Sequence, residues 1–228
     1  MHPEAEAFAE TPLVLPNADF FPALGEAHGD LRAHAIFEMV KKHAGMESWP
    51  VDLVPQKDVP ARIGGGAFLE HDRCCAGTFF HTGEKAFITY SADHISQPKT
   101  LIATFAHELG HYLNGGFATA PPGGADMIEP ATDVTAAFLG FGVFGANDVL
   151  NFEQNHEGWQ GGKTGYLSEE EWIFSLAIFL NLKLIKPDAT KPYRKPHLFR
   201  WLQKASDSVQ KRQMLARLAP ASLKDVSE

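Results

Sequence analysis

Two histidines and a glutamate, spaced as His-Glu-x-x-His, are the residues whose types and spacing indicate chemistry most directly. They are His107, Glu108 and His111, within the segment LIATFAHELGHYLNG of residues 101–115. Residues four positions apart lie on the same face of a helix, so both imidazoles can present a nitrogen to one point. Two neutral imidazoles suit Zn²⁺, and a catalytic zinc site needs one more protein ligand and an open position for water. Glu108 is rotated by about 100° from His107 and can take a proton from that water.

The flanking residues predict the helix that this spacing requires. Pro98 stands where the first turn would begin, a position that suits proline because its missing N–H has no helical partner there. The Asn-Gly-Gly sequence of residues 114–116 predicts the end of the helix. Apolar residues at helical spacing supply a face that can be buried, namely Leu101, Ile102, Phe105, Leu109 and Leu113.

Acidic residues downstream are the candidates for the third ligand. An HExxHxxGxxH pattern is excluded because Asn114 and Phe117 occupy its glycine and histidine positions. Glu129 and Asp133 form an ExxxD arrangement that begins 18 residues after His111. A glutamate would add charge neutralisation and give a His₂Glu site with one open position.

Two alternatives to this assignment stay open. Asp133 could be the third ligand instead of Glu129, and Asp126 is a further candidate. Glu129 and Asp133 could also be ordinary acids at the start of a helix, where the helix dipole favours negative charge. Glu129 precedes Pro130, which we expect at the first helical position, so the glutamate is expected at the helix cap.

HExxH followed by ExxxD resembles the active-site layout of the gluzincin zinc metallopeptidases, including thermolysin-like enzymes and minigluzincins. The similarity covers residues 84–145, and the ATD…FLGFG and GYLS segments resemble bacterial members of the group. The resemblance implies a zincin-like fold, with His107, His111 and Glu129 as metal ligands. It also implies that Asp133 accepts the other ring N–H of His107 and fixes its tautomer.

A peptidase of this type also needs a donor that stabilises the oxyanion formed on the scissile carbonyl. The candidates are His156 and Tyr166, in a polar loop, and Tyr90, at the end of a predicted strand. Each has an ordinary alternative role: Tyr166 as a packing residue before a helix cap, and His156 as a solvated loop histidine.

The pattern of hydrophobic residues predicts an α+β fold, with a small mixed sheet followed by a mainly helical part that carries the HExxH helix. We expect a single zincin-like domain over residues 1–228, with residues 1–28 as an irregular segment draped on it. A capping box at Ser168 and Glu171 predicts the start of a late helix. The predicted strands are 51–54, 77–80 and 85–91, and the other predicted helices are 30–43, 130–143 and 196–218.

The composition indicates the cellular compartment and the classes of partner that are expected. The formal net charge of −8 argues against nucleic acid and anionic membranes as partners. The only cysteines, Cys74 and Cys75, are adjacent, so no disulfide framework is possible and a reducing cytoplasm is expected. No secretory signal is visible in MHPEAEAFAE, and the apolar run 136–146 is shorter than a bilayer span.

The sequence therefore favours a cytoplasmic zinc-dependent hydrolase with one Zn²⁺ per chain and a peptide or protein substrate. In this interpretation zinc lowers the pKa of its bound water toward ~7, and Glu108 accepts the proton as the general base. The alternative is a zinc-binding regulatory or interaction protein on a metallopeptidase scaffold. A third possibility is an α+β binding domain in which the HExxH spacing is accidental.

Overall fold

A computed structural model describes residues 8–22, 27–58, 77–82, 85–147 and 167–212. The first long helix, α1, spans Gly29–His43. Its first residue, Gly29, has a positive φ of 54°, which glycine adopts without strain. Its apolar residues recur at helical spacing and are buried against the rest of the protein: Ala33, Ile36, Phe37 and Val40.

A mixed three-stranded sheet lies on the HExxH helix. Its strands are β1, Val51–Pro55; β2, Gly77–Thr82; and β3, Lys85–Tyr90. β3 is central and pairs parallel with β1 and antiparallel with β2. The predicted strands are therefore present, and their pairing makes the sheet mixed as expected.

The HExxH helix, α2, spans Pro98–Asn114, with Pro98 in its first turn and Gly115 at its C-cap. It occupies the centre of the described structure and contacts α1, β2, β3 and the following helix. Leu101, Phe105 and Leu109 have no exposed surface, so the apolar stripe read from the sequence is the buried one. Packing on several sides fixes the direction of the polar residues that lie between these positions.

The next helix, α3, spans Ile128–Ala136 and follows a 3₁₀ turn at Ala125–Met127. The expectation that Pro130 is the first helical residue and Glu129 the cap is therefore wrong. The 3₁₀ turn continues directly into α3, so Glu129 lies inside the first turn. Pro130 fits there because the first N–H groups of a helix have no partner within it.

The backbone after α3 passes through a π-helical turn, Ala137–Phe141, before helical residues 142–147. Gly140 has a φ of 97° in this turn, and a Cβ at that position would collide with the carbonyl oxygen of Pro12. The backbone N–H of Val14 donates to the carbonyl of Gly140 at 3.0 Å. Only glycine suits this kink, and the N-terminal segment packs directly against it.

The described part of the N-terminal segment packs against the core and against a late helix. Leu13 and Val14 are buried in the core. Farther along the chain, the Lys183 ammonium donates to the carbonyls of Phe8, at 3.0 Å, and Ala9. These contacts join the segment to the end of a late helix.

Two late helices complete the described structure: α4, Glu169–Leu182, and α5, Pro196–Lys211. The capping box is confirmed, since the Glu171 carboxylate accepts from the Ser168 N–H and the Ser168 hydroxyl accepts from the Glu171 N–H. The fold is thus α+β and mostly helical. The part of α5 predicted beyond residue 212 lies outside the described residues.

Within the described ranges, one helical stretch is long and apolar enough by length and composition to cross a membrane. It is Ala125–Asn147, which combines α3, the turns on either side of it and the helical residues 142–147, and it is longer than the apolar run 136–146. Half of the most apolar part of this stretch is buried inside the protein. Core helices of soluble proteins meet the same criteria, so the stretch is weak support for a membrane span.

Candidate metal centre

Three side chains on α2 and α3 converge on one point. The Nε2 atoms of His107 and His111 are 3.1 Å apart. The Oε2 atom of Glu129 lies 3.1 Å from the first nitrogen and 3.3 Å from the second. Among the described residues, these three form the one group of histidine, cysteine or acidic side chains that could hold a metal ion.

The spacing of these donor atoms fits zinc. Two ligands bound tetrahedrally at about 2.0–2.1 Å from zinc are about 3.3–3.4 Å apart, close to the distances found here. Two imidazoles and a carboxylate are also the donor set of catalytic zinc sites that keep a position for water. The same set accepts other divalent transition metals, so the geometry supports a metal site without assigning the element.

Burial of the three side chains is graded. The side chains of His107 and His111 are 10% and 19% exposed, whereas the Glu129 side chain is 41% exposed. The group therefore opens toward solvent on the side of the glutamate. The alternative ligands Asp133 and Asp126 do not belong to the three-donor group.

Asp133 lies behind the histidines and is almost fully buried, with 2% of its surface exposed. Its Oδ1 is 2.8 Å from Nδ1 of His107, and its Oδ2 accepts from the backbone N–H of Leu167 at 2.8 Å. The carboxylate therefore holds the proton of His107 on Nδ1 and leaves Nε2 directed at the donor group. This is the contact that the resemblance implied for Asp133.

Without a metal, the nearby carboxylates and histidines shift the pKa values of one another. Burial lowers the pKa of His107, but hydrogen bonds to Asp133 and Glu129 and the nearby Glu108 charge raise it, on balance to about 10. Burial raises the pKa of Glu129, but hydrogen bonds with His107 and His111 hold it well below its usual value. Without a metal, positive charge on His107 offsets part of the carboxylate charge, so a divalent cation would replace a proton there.

The Glu108 side chain is buried beside the sheet. It is 5% exposed, and a Cβ built on Gly77 of β2 would lie 3.3 Å from its Oε1. The same Cβ would be 2.6 Å from Cγ2 of Thr104, one turn earlier on α2. Glycine at the start of β2 thus leaves the space that the Glu108 carboxylate occupies.

Thr132 is a contact residue that the sequence did not single out. Its Oγ1 lies 3.3 Å from Nδ1 of His111, on the side of the ring away from the donor group. Its place between Glu129 and Asp133 was visible, but threonine is common in helices and has no signature of its own. Only the crossing of α2 and α3 brings its hydroxyl to the histidine.

That crossing depends on Gly110, the residue between Leu109 and His111. A Cβ on Gly110 would lie 3.0 Å from the carbonyl oxygen of Thr132 and 3.1 Å from its Cγ2. A glycine within a helix lowers helix propensity, so it requires a packing reason, and this close approach supplies one. The glycine is visible in the HELGH segment, but the helix that it approaches is not.

Replacing Gly110 with alanine is expected to push α3 away from α2, lower the melting temperature and weaken metal binding. We expect a loss of about 1–3 kcal/mol of unfolding free energy, typical of an overpacked contact. Chemical denaturation of the metal-free protein and competition with a chromophoric chelator measure the two effects. A more stable variant, as helix propensity alone would give by about 1 kcal/mol, would contradict the tight crossing.

The three candidate oxyanion donors have different outcomes. His156 and Tyr166 lie outside the described residues, as do Cys74 and Cys75. Tyr90 is fully buried, and its hydroxyl donates to Oδ1 of Asp30 at 2.7 Å. Burial and this carboxylate raise the pKa of Tyr90. The structure therefore ties Tyr90 to α1 and does not offer its hydroxyl to a substrate.

Comparison of the chain with protein-family models, curated proteins and solved structures finds no match. What the structure shows of the expected site is the group of His107, His111 and Glu129, which could hold a metal ion.

Proposed function

We propose that the protein is a zinc-dependent hydrolase of the gluzincin type that cleaves peptide bonds. The observation that carries the proposal is the convergence of His107 Nε2, His111 Nε2 and Glu129 Oε2 within 3.3 Å of one another. Zinc, when bound there, supplies a Lewis acid that lowers the pKa of water and polarises a carbonyl.

The residues of the chain have distinct tasks in this proposal. The two histidines and Glu129 bind the ion, and Asp133 orients the His107 ring through its Nδ1 proton. The carboxylate of Glu108 accepts the proton of the attacking water and then delivers it to the leaving nitrogen. A glutamate next to the first histidine has this use in a hydrolase, whereas a purely structural metal site has no need of a base.

A metal-binding regulatory or interaction protein on the same scaffold is the second candidate. The described residues offer no assigned donor for the oxyanion of a scissile carbonyl, since Tyr90 is tied to Asp30. The two candidates share the metal and differ in whether Glu108 transfers a proton.

The test of the proposal begins with metal content. Elemental analysis under dilute chelator is expected to find about one zinc per wild-type chain and essentially none in Glu129→Ala, which removes one of three protein ligands. Asp126→Ala, three residues earlier, is the matched control and is expected to keep its zinc. Hydrolysis of a mixed peptide library by the zinc-loaded protein is the second arm.

The outcomes separate the candidates. Zinc retained in Glu129→Ala would transfer the ligand role to Asp133 or Asp126. Stoichiometric zinc without hydrolysis of any peptide would favour the regulatory or interaction protein. Absence of zinc from the wild-type protein would overturn both metal-dependent functions.

A further inference from the structure

The two histidines differ in the hydrogen-bond partner of their Nδ1 atoms. His107 is held by a carboxylate, that of Asp133, whereas His111 faces the hydroxyl of Thr132 at 3.3 Å. Thr132 has no exposed surface, so water does not compete for this hydroxyl. A hydrogen-bond acceptor beside the second nitrogen of a ligand histidine holds the proton there and leaves the first nitrogen free to bind the metal.

The hydrogen bonds of Thr132 determine which way the proton points. Its hydroxyl donates to the carbonyl of Ile128 at 2.9 Å, which uses its one proton. The amide of Asn114 donates to the same oxygen at 3.3 Å. A hydroxyl oxygen has two acceptor sites, and one remains for His111. Nδ1 of His111 is therefore the donor, and Nε2 carries the free lone pair.

We propose that Thr132 is a positioning residue that fixes His111 in the tautomer whose Nε2 binds the metal. The inference rests on the proposed metal site and extends it to a residue outside the three ligands and Asp133. Thr132 acts through His111 and does not touch the ion.

The surrounding contacts hold the hydroxyl in place. The Thr135 hydroxyl lies 2.9 Å from both Oδ1 of Asn114 and the carbonyl oxygen of Ala131, and its one proton is shared between these two acceptors. Gly110 allows the two helices to approach closely enough for these contacts to form. The network thus joins the C-terminal turn of α2 to α3 beside the donor group.

Three variants separate positioning from packing. Thr132→Val keeps the shape of the side chain and removes the hydroxyl, whereas Thr132→Ser keeps the hydroxyl and removes a methyl group. Thr190→Val is the matched control, since it makes the same change at another fully buried threonine whose hydroxyl donates to a backbone carbonyl, outside the network of Asn114 and Thr135. Zinc affinity is measured for each full-length protein by competition with a chromophoric chelator, alongside its melting curve.

Thr132→Val is expected to bind zinc about 10–100-fold more weakly than the wild type, the range found for lost outer partners of metal-bound histidines. Thr132→Ser and Thr190→Val are expected to stay close to the wild-type affinity. Equal zinc affinity in Thr132→Val and the wild type would overturn the inference. A similar loss in Thr132→Ser would assign the effect to packing, which also overturns it.

A measurement on the wild type keeps the inference testable if Thr132→Val does not fold. Long-range proton–nitrogen NMR of the zinc-loaded, ¹⁵N-labelled protein is expected to show a proton on Nδ1 of His111 and metal at Nε2. Metal at Nδ1 of His111 would overturn the Thr132 assignment and leave the metal site standing. A wild-type protein that binds no zinc would overturn the metal site, and the Thr132 inference with it.

Discussion

Replacing Glu108 with glutamine is expected to leave one zinc per chain in place and to lower kcat/KM for peptide hydrolysis by about 10²–10⁴-fold. Glutamine has nearly the same shape and fits the space left by Gly77, but its amide cannot accept the proton of the attacking water. Glu108 is not among the three converging donors, so its loss need not release the metal. Steady-state kinetics on a peptide substrate and elemental analysis of the same sample measure the two quantities.

The control for this prediction is Glu170→Gln on α4. It makes the same chemical change at an exposed position and is expected to keep wild-type activity. Full activity in Glu108→Gln would assign the base to another residue. Loss of zinc together with activity would show that Glu108 supports the metal site and would leave its role as base unproven.

Replacing Asp133 with asparagine is expected to destabilise the metal-free protein and weaken zinc binding together. Both carboxylate oxygens accept hydrogen bonds, one from His107 and one from the backbone of Leu167, each at 2.8 Å. Asparagine offers one acceptor, so its amide nitrogen must face another N–H group. An unpaired buried donor costs about 1–3 kcal/mol, and losing a carboxylate behind a ligand histidine weakens metal binding about 10–100-fold.

Urea denaturation of the metal-free protein tests the first effect of Asp133→Asn, and chelator competition tests the second. Asp126→Asn is the matched control, because Asp126 lies in the exposed 3₁₀ turn before α3. Unchanged stability together with weaker metal binding would mean that the contact with Leu167 adds little to the fold. Unchanged values for both quantities would contradict the orienting role of Asp133.

The donor group could be anticipated because its information is local. The spacing of His107 and His111 needs only a helix to bring both rings to one side, and the apolar stripe around them predicts that helix. Glu129 can join the two histidines only if a second helix packs beside the first, and the ExxxD arrangement indicated such a helix. The strands beside the HExxH helix were also visible as short apolar runs.

What the sequence did not contain is the way the elements approach one another. The helix α3 begins at Ile128, two residues before the predicted start at Pro130. The proline marked a helix start in the sequence, whereas the 3₁₀ turn at Ala125–Met127 has no comparable marker. The Thr132 contact requires the close crossing at Gly110, which is a tertiary property. Tyr90 looked available at the end of a strand, yet its burial against Asp30 is set by the packing of α1.

The contact between the N-terminal segment and the kink at Gly140 has a consequence for the order of folding. Val14 binds the backbone of Gly140, and Lys183 donates to the carbonyl of Phe8 across a separation of 175 residues. During synthesis the segment leaves the ribosome long before either partner exists, so Leu13 and Val14 have no core to enter. Contacts so distant in sequence form late because loop closure must precede them. Until then, the nascent chain presents an apolar segment that a chaperone can bind.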